Sequence, residues 1–281
     1  MNRGSLVVVG TGIRTTGQLT IESIAWMRVA DKLLYLVADP VAEESIHQLN
    51  PGRTESLYQF YSEGKQRLDS YNEMVEHILA CVRSGMKTCV AFYGHPGVFV
   101  YPSHKAIRQA RKEGYNAKML PGISAEDCLF ADLGIDPSTF GCQTYEATDF
   151  MVSSRNIDPS SSVILWQIGV VGDWTYKRNG FDLSALPLLL ERLYRYYPSD
   201  HRVYIYEAAM YIDHPPTIKR LPLHKIRDVL LTASSTLYIP PSKVPPVDYT
   251  TWARLGKLTR NVPSDSLSNT RPRRELKSKT K

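Results

Sequence analysis

Apolar positions along the first 120 residues follow two alternating rhythms. Short runs at residues 6–9, 33–37, 55–58, 88–92 and 117–120 read as strands. Between them, apolar residues recur at helical spacing. One helix runs through Ile21, Ile24, Ala25 and Ala30, and one starts at Asp39-Pro40. A third runs through Tyr71, Met74, Ile78 and Val82, and a fourth covers 104–111. Asp39 with Pro40 is a cap followed by a first-position proline. Asp69 or Ser70 is read as the cap of the third helix, which Gly85 and Met86 end, and Glu113-Gly114 closes the fourth. This alternation predicts an α/β domain around a mostly parallel sheet.

The rhythm changes at Pro121-Gly122-Ile123-Ser124-Ala125-Glu126. Ser124 is placed as the N-cap of a helix through Cys128, Leu129, Ala131 and Leu133, closed by Gly134 and Asp136-Pro137. Strand patterns at 162–168, 202–206 and 236–239, with an amphipathic helix over 183–197, predict a second, mixed-sheet domain. The Pro240-Pro241 and Pro245-Pro246 pairs mark its end. The expected organisation is a 1–120 N-terminal α/β domain, a 121–248 C-terminal mixed α/β domain and a 249–281 basic segment. From about 258 its polar composition reads as disorder.

Composition narrows the function classes. The chain has 281 residues, 43% of them hydrophobic, which suits two ordinary domains. No run approaches the ~20 apolar residues of a membrane span, so no membrane partner is expected. The N-terminus passes directly into a strand pattern without a signal-peptide layout, which predicts a cytoplasmic protein. Cys81, Cys89, Cys128 and Cys142 show no C-x-x-C spacing and read as reduced thiols. The seven histidines show no metal-ligand spacing, so no metal site is expected. The net charge of +6 resides in the tail, where eight basic residues from Lys257 onward face two acidic ones. The remaining body is neutral and carries no basic stripe, which argues against nucleic acid as partner.

Two turns follow strand patterns closely. In Tyr93-Gly94-His95-Pro96-Gly97-Val98-Phe99, Pro96 and Gly97 force a sharp turn at a strand's C-terminal end. That is where open α/β sheets bind ligands. Gly10-Thr11-Gly12 suggests a dinucleotide loop, but Thr15 stands where the third glycine belongs. No acidic residue ends the second strand, and a lone Gly-x-Gly is weak evidence for such a site.

Taken in order, these elements resemble the tetrapyrrole methylase superfamily, and within it the borosin peptide backbone α-N-methyltransferases. The resemblance rests on Gly4-Ser5-Leu6-Val7-Val8-Val9-Gly10-Thr11-Gly12, Leu57-Tyr58-Gln59-Phe60-Tyr61 and Gly94-His95-Pro96-Gly97-Val98-Phe99. It continues in the block from Met119 to Leu133, in Tyr206-Glu207-Ala208-Ala209 and in Ser235-Thr236-Leu237-Tyr238-Ile239-Pro240-Pro241. It implies a two-domain class III methyltransferase fold with S-adenosyl-L-methionine in the interdomain cleft and S-adenosyl-L-homocysteine as product. The implied reaction is iterative N-methylation of backbone amides in a ribosomally synthesised precursor peptide. Fused members carry that peptide at their own C-terminus. Residues after Gly256 here contain no apolar run. The expectation is therefore the split type, with the precursor supplied in trans to a homodimer, giving a heterotetramer with two peptides. The alternatives are a tetrapyrrole or rRNA methyltransferase of the same fold, or a non-catalytic peptide-binding homologue.

The resemblance also assigns residues. Arg67, Tyr71 and Tyr93 are implied as catalytic and Tyr61 as substrate-binding. Tyr93, His95, Val98, Phe99, Ser124, Ala125, Gln167, Ala208, Ser235 and Thr236 are implied around the cofactor. The chemistry is compatible with these types. An amide nitrogen is a poor nucleophile because its lone pair is delocalised into the carbonyl. Methylating it needs a base and a partner for the oxyanion that develops. Arg67 and Tyr71 are four apart, so a helix puts them on one face, where the guanidinium would favour phenolate. Gln167 falls within an apolar strand pattern, where its amide needs a partner.

Overall fold

The computed structural model describes residues 4–258 apart from 15, 16, 38 and 179. In chain order the first half contains β1 (Ser5–Gly10), α1 (Ile21–Val29), β2 (Lys32–Leu36), α2 (Pro40–Leu49) and β3 (Thr54–Ser56). It continues with α3 (Arg67–Arg83), β4 (Lys87–Phe92), α4 (Tyr101–Lys112), β5 (Asn116–Met119) and α5 (Ala125–Leu133). The five strands form a wholly parallel sheet in the order β3-β2-β4-β1-β5. Alternate residues of its strands serve two cores. Leu6, Val8, Leu34 and Val90 pack against Met74, Ile78 and Ala106 of α3 and α4. Val7, Val9, Leu33 and Cys89 pack against Met27 and Ile46 of α1 and α2. Burial on both faces explains why these strands read as continuous apolar runs.

The second half contains β6 (Cys142–Glu146), α6 (Ala147–Val152), β7 (Ser162–Trp166), α7 (Leu186–Leu193), β8 (Arg202–Glu207), β9 (Thr217–Pro222) and β10 (Thr236–Ile239). Its sheet runs β6-β7-β10-β8-β9, with β6 and β7 parallel and the remaining pairs antiparallel. One face buries Val163, Leu165, Val203 and Ile205 against Leu186, Leu189, Leu190 and Leu193 of α7. On the other face, Ile164, Trp166, Tyr206 and Tyr238 pack against Leu129 of α5. Both sheets lie in one compact unit, Met1–Lys243. The second unit, Val244–Lys281, holds α8 (Tyr249–Leu258), and there Asp248 Oδ1 accepts the N–H groups of Thr250 and Thr251. The disorder expected of the tail falls on residues 259–281, outside the described residues.

Several local expectations need correction. The helix read as capped by Asp69 or Ser70 starts at Arg67, with Gln66 as N-cap and no side-chain cap. Its first N–H is met by a tertiary partner instead, since Arg67 N–H donates to the Trp174 carbonyl at 2.9 Å. The strand expected through Tyr58 stops at Ser56, where the Ser56 hydroxyl accepts Tyr58 N–H and turns the chain into a 3₁₀ segment, Leu57–Phe60. The strand expected at 162–168 stops at Trp166, and Gln167 is left-handed. The helix expected over 183–197 is regular only from Leu186 to Leu193, with Pro187 in its first turn. The apolar pattern does not predict strands β6 and β9 or helices α6 and α8.

Candidate active site

Three loops meet at the C-terminal ends of β1, β4 and β5, and glycines allow them to touch. A Cβ on Gly10 would lie 2.3 Å from the Gly94 carbonyl oxygen and 2.8 Å from Pro96 Cδ. One on Gly122 would lie 3.0 Å from Gly10 Cα. Gly94 N–H donates to the Gly12 carbonyl at 2.9 Å, tying the first loop to the second. The Gly97 N–H donates to His95 Nδ1 at 2.9 Å, so a neutral His95 ring carries its proton on Nε2 and presents a donor there. His95 and Val98 are partly buried, while Phe99 is exposed.

In the third loop Ser124 caps α5 through a reciprocal box with Asp127. Asp127 N–H donates to Ser124 Oγ at 3.2 Å, and Asp127 Oδ2 accepts Ser124 N–H and hydroxyl, each at 2.7 Å. The Ser124 hydroxyl is therefore committed to the cap. What the helix start offers a ligand is the pair of orphan N–H groups of Ala125 and Glu126.

Gln167, Ala208, Ser235 and Thr236 collect at one end of the second sheet. Thr236 pairs with Tyr206, two residues before Ala208, and Ile168 N–H donates to the Ser235 carbonyl at 3.1 Å. Ser235 is fully buried and donates its hydroxyl to Glu207 Oε1 at 2.5 Å, which also accepts Thr232 Oγ1 at 2.7 Å. A ligand at this edge therefore meets backbone at Ser235, with its hydroxyl already used. Phe99 (φ 56°) and Gln167 (φ 60°) are the two non-glycine residues with positive φ among the described residues. Such strain, of order 1–3 kcal/mol each, persists where surroundings impose it and concentrates at functional sites. Both belong to the set expected around the cofactor. The Phe99 ring also meets Trp166, next to Gln167, at 6.0 Å between centroids. The residues present thus fit S-adenosylmethionine: glycine-lined loops, free helix N–H groups, a His95 donor, and apolar surface from Val98 and Phe99.

The tyrosines form a separate group. Tyr61 lies edge-on to Tyr71 at 6.3 Å and stacks on Tyr176 at 4.4 Å, and Tyr71 meets Tyr101 at 6.2 Å. Burial pushes the Tyr61 phenol far up, and the neighbouring Tyr71, Tyr58 and Tyr176 phenols add to it. Tyr61 thus stays protonated. Arg67 and Tyr71 both lie on α3, four residues apart, and Arg67 Nη2 donates to the Asp173 carbonyl. Tyr93 is not among the ring contacts of this group. Tyr93 is 37% exposed, yet it lines a small cavity with Gly12, Ile13, Leu19 and Asp39, where loss of water around the phenol pushes it up to about 12. Sequence reasoning missed Tyr176, Asp173 and Glu207. Their partners stand far off along the chain, and only the run of aromatic and polar residues at Asp173-Trp174-Thr175-Tyr176 hinted at more than a plain loop.

Comparison with known proteins assigns the class. Residues 5–213 match the family of tetrapyrrole (corrin/porphyrin) methylases, and the chain belongs to that family. Solved relatives share the fold. Uroporphyrin-III-C-methyltransferase from Thermus thermophilus superposes with a TM-score of 0.61 at 15% identity, covering 88% of this chain and 99% of that one. A cobalt precorrin-4 methyltransferase gives 0.58 at 14%, covering 84% and 94%. The fold is therefore the two-sheet α/β fold of class III methyltransferases.

Nearer in sequence are borosin proteins in which methyltransferase and peptide precursor form one chain. The methyltransferase and dendrothelin A precursor of Dendrothele bispora is 46% identical over 242 residues, covering 85% of this chain and 58% of that one. The corresponding omphalotin A protein of Omphalotus olearius is 44% identical over the same shares. A type III borosin precursor protein of Anomoporia bombycina is 45% identical over 257 residues, covering 90% of this chain and 30% of that one. The chain thus spans well under two thirds of the length of these relatives.

Proposed function

We propose that this chain methylates backbone amide nitrogens of a ribosomally made peptide, with S-adenosylmethionine as methyl donor. The observation that carries this reading is the Tyr61–Tyr71 ring contact beside α3, the helix that Arg67 starts, in a chain 45% identical to a protein named as methyltransferase and borosin precursor. His95, Val98, Phe99, Ser124, Ala125, Gln167, Ala208, Ser235 and Thr236 would hold the cofactor between residues 1–120 and 121–248, taken as two domains. When bound, it supplies an electrophilic sulfonium methyl group.

The chain's own residues prepare the amide. Arg67, always cationic, faces the carbonyl oxygen as negative charge develops there. Tyr71 acts as its phenolate, takes the amide proton at its phenolic oxygen and becomes the neutral phenol as the methyl group is transferred. Tyr61, kept protonated by burial, donates a hydrogen bond within the cluster and shapes the peptide's path. Tyr93 stays protonated at neutral pH, so its part is to donate to and orient the peptide rather than to act as base.

The peptide comes from outside the 281 residues, and a separate precursor supplied in trans is the arrangement proposed. A homodimer holding two peptides and a cytoplasmic location, suited to four free cysteines, complete the reading. The test combines purified chain, S-adenosylmethionine with a deuterated methyl group, and an apolar peptide. Labelled methyl groups placed on backbone nitrogens by fragmentation support the reading. Methylation confined to side chains or tetrapyrroles, or no S-adenosylhomocysteine binding, overturns it. Transfer to an added peptide supports supply in trans, while transfer only to a covalent extension of the chain rejects it.

A further inference from the structure

Arg67 is held by backbone from a distant part of the chain. Its N–H donates to the Trp174 carbonyl at 2.9 Å, and its guanidinium Nη2 donates to the Asp173 carbonyl. These consecutive carbonyls belong to a strap, residues 172–178, that follows Gln167 and pairs with the approach to α3. Gly64 N–H donates to the Tyr176 carbonyl at 2.9 Å and Tyr176 N–H to the Lys65 carbonyl at 2.8 Å, with a bridge between Gln66 and Thr175. The same strap supplies the Tyr176 ring beneath Tyr61.

One carboxylate fixes the turn in that strap. Asp173 Oδ1 accepts the N–H of Thr175 at 2.9 Å and its hydroxyl at 2.6 Å, and Oδ2 meets Lys177 Nζ at 2.8 Å. An aspartate that accepts from the N–H two residues on locks the intervening peptide planes. The plane locked here carries the carbonyl that receives Arg67. Burial alone would raise this carboxyl's pKa, but Lys177 and Thr175 hold it at about 2, so the lock is set across the working pH range.

We propose that Asp173 is a positioning residue for Arg67: its carboxylate closes the turn that aims the Asp173 and Trp174 carbonyls at α3. The guanidinium is thereby held on the strap, at the start of the helix that carries Tyr71. The proposal rests on the methyl-transfer reading of Arg67. Released from its carbonyl, the guanidinium would sample orientations that no longer meet the amide oxygen. Misplacement by about 1 Å can cost about 10²-fold in rate.

The test uses the full chain and the variants Asp173→Ala, Asp173→Asn, Asp173→Glu and Lys177→Ala. Asp173→Ala is expected to lower kcat by about 10²-fold while KM for the peptide stays within about twofold, the split expected when only transition-state contacts are lost. Affinity for S-adenosylhomocysteine should not change. Asp173→Asn keeps an oxygen for both Thr175 bonds, and Lys177→Ala keeps the turn, so both should retain most of the rate. Asp173→Glu keeps the charge but overshoots the turn, and it should behave like alanine, which covers the case of an alanine variant that fails to fold.

A second readout needs no turnover. The slowly exchanging Arg67 side-chain N–H signal in nitrogen-15 NMR, assigned by its loss in Arg67→Lys, should vanish in Asp173→Ala and Asp173→Glu and persist in Asp173→Asn. Unchanged kcat and an unchanged Arg67 signal in Asp173→Glu overturn the proposal. So does an asparagine variant no better than glutamate. A wild-type chain that methylates no peptide defeats the functional reading instead, and the Arg67 signal still decides the positioning role.

Discussion

The Tyr61 ring lies on Tyr176 with centroids 4.4 Å apart and 16° between planes. One wall of the candidate site is therefore built jointly by the segment before α3 and by a strap that follows β7. A stacked aromatic pair contributes about 0.5–1.5 kcal/mol beyond area burial. Tyr176→Leu should lower unfolding stability by about 1 kcal/mol and reduce methyl transfer, whereas Tyr176→Phe should leave both near wild type. Thermal unfolding and initial rates measured side by side check this. A leucine variant with full activity would show that the stack is incidental.

Tyr71 and Tyr61 are assigned opposite proton roles, and phenylalanine substitutions separate them. General base catalysis contributes about 10²–10⁴-fold, so Tyr71→Phe should lower kcat by that order. Tyr61→Phe removes a donor that stays protonated and should cost less, without moving the pH–rate profile. Calorimetry with S-adenosylhomocysteine should give unchanged affinity for both. If Tyr61→Phe loses more activity than Tyr71→Phe, the roles are reversed.

What could be read from the sequence was what local rules determine. The β1 and β4 runs stood out because helices cover both faces of the first sheet, and Ser124 because its cap follows a three-residue rule. Arg67 and Tyr71 share a helical face by spacing alone. By contrast, β9 has four exposed positions of six, with Lys219 and Arg220 at an edge, so it shows no apolar rhythm. Gln167 continues an apolar run and so reads as strand, whereas its backbone is left-handed, which no apolar rhythm signals. Asp173 and Tyr176 act on residues more than a hundred positions away, and no local pattern encodes such a pairing.

Gly10 is where three loops approach most closely, which makes it a sharp test of the site floor. An added Cβ would meet backbone at 2.3 Å on one side and the Pro96 ring at 2.8 Å on another. Neither neighbour is a flexible side-chain end. Overpacking of this kind costs about 1–3 kcal/mol. Gly10→Ala should therefore lower the melting temperature and weaken S-adenosylhomocysteine binding together. Tight binding in a destabilised variant would separate the floor from the cofactor site.

The Asp173 carboxyl also leaves a mark on stability against pH. Its folded pKa of about 2 lies below its ordinary value of 3.8. Such a group stabilises the fold above the unfolded value and loses that contribution as pH falls toward the folded one. Between about pH 4 and pH 2 the wild type should therefore lose stability that Asp173→Asn does not. Denaturant titrations at several acidic pH values would show converging curves for the two proteins. Parallel curves would mean that the Lys177 and Thr175 contacts are absent in solution.

Gln167 offers the clearest separation of stability from function. Its left-handed backbone costs a non-glycine residue roughly 1–2 kcal/mol, while glycine adopts it freely. Glycine's greater freedom in the unfolded chain offsets part of that gain, by about 0.5–1 kcal/mol. A partly buried side chain replaced by glycine would ordinarily destabilise. At this position Gln167→Gly should instead unfold at the wild-type temperature or slightly above it. The same change removes the amide expected to read the cofactor, so S-adenosylhomocysteine affinity should fall. Strain retained at the expense of stability is what a binding role predicts. A variant that loses stability but keeps its affinity would place Gln167 in the scaffold and not in the site.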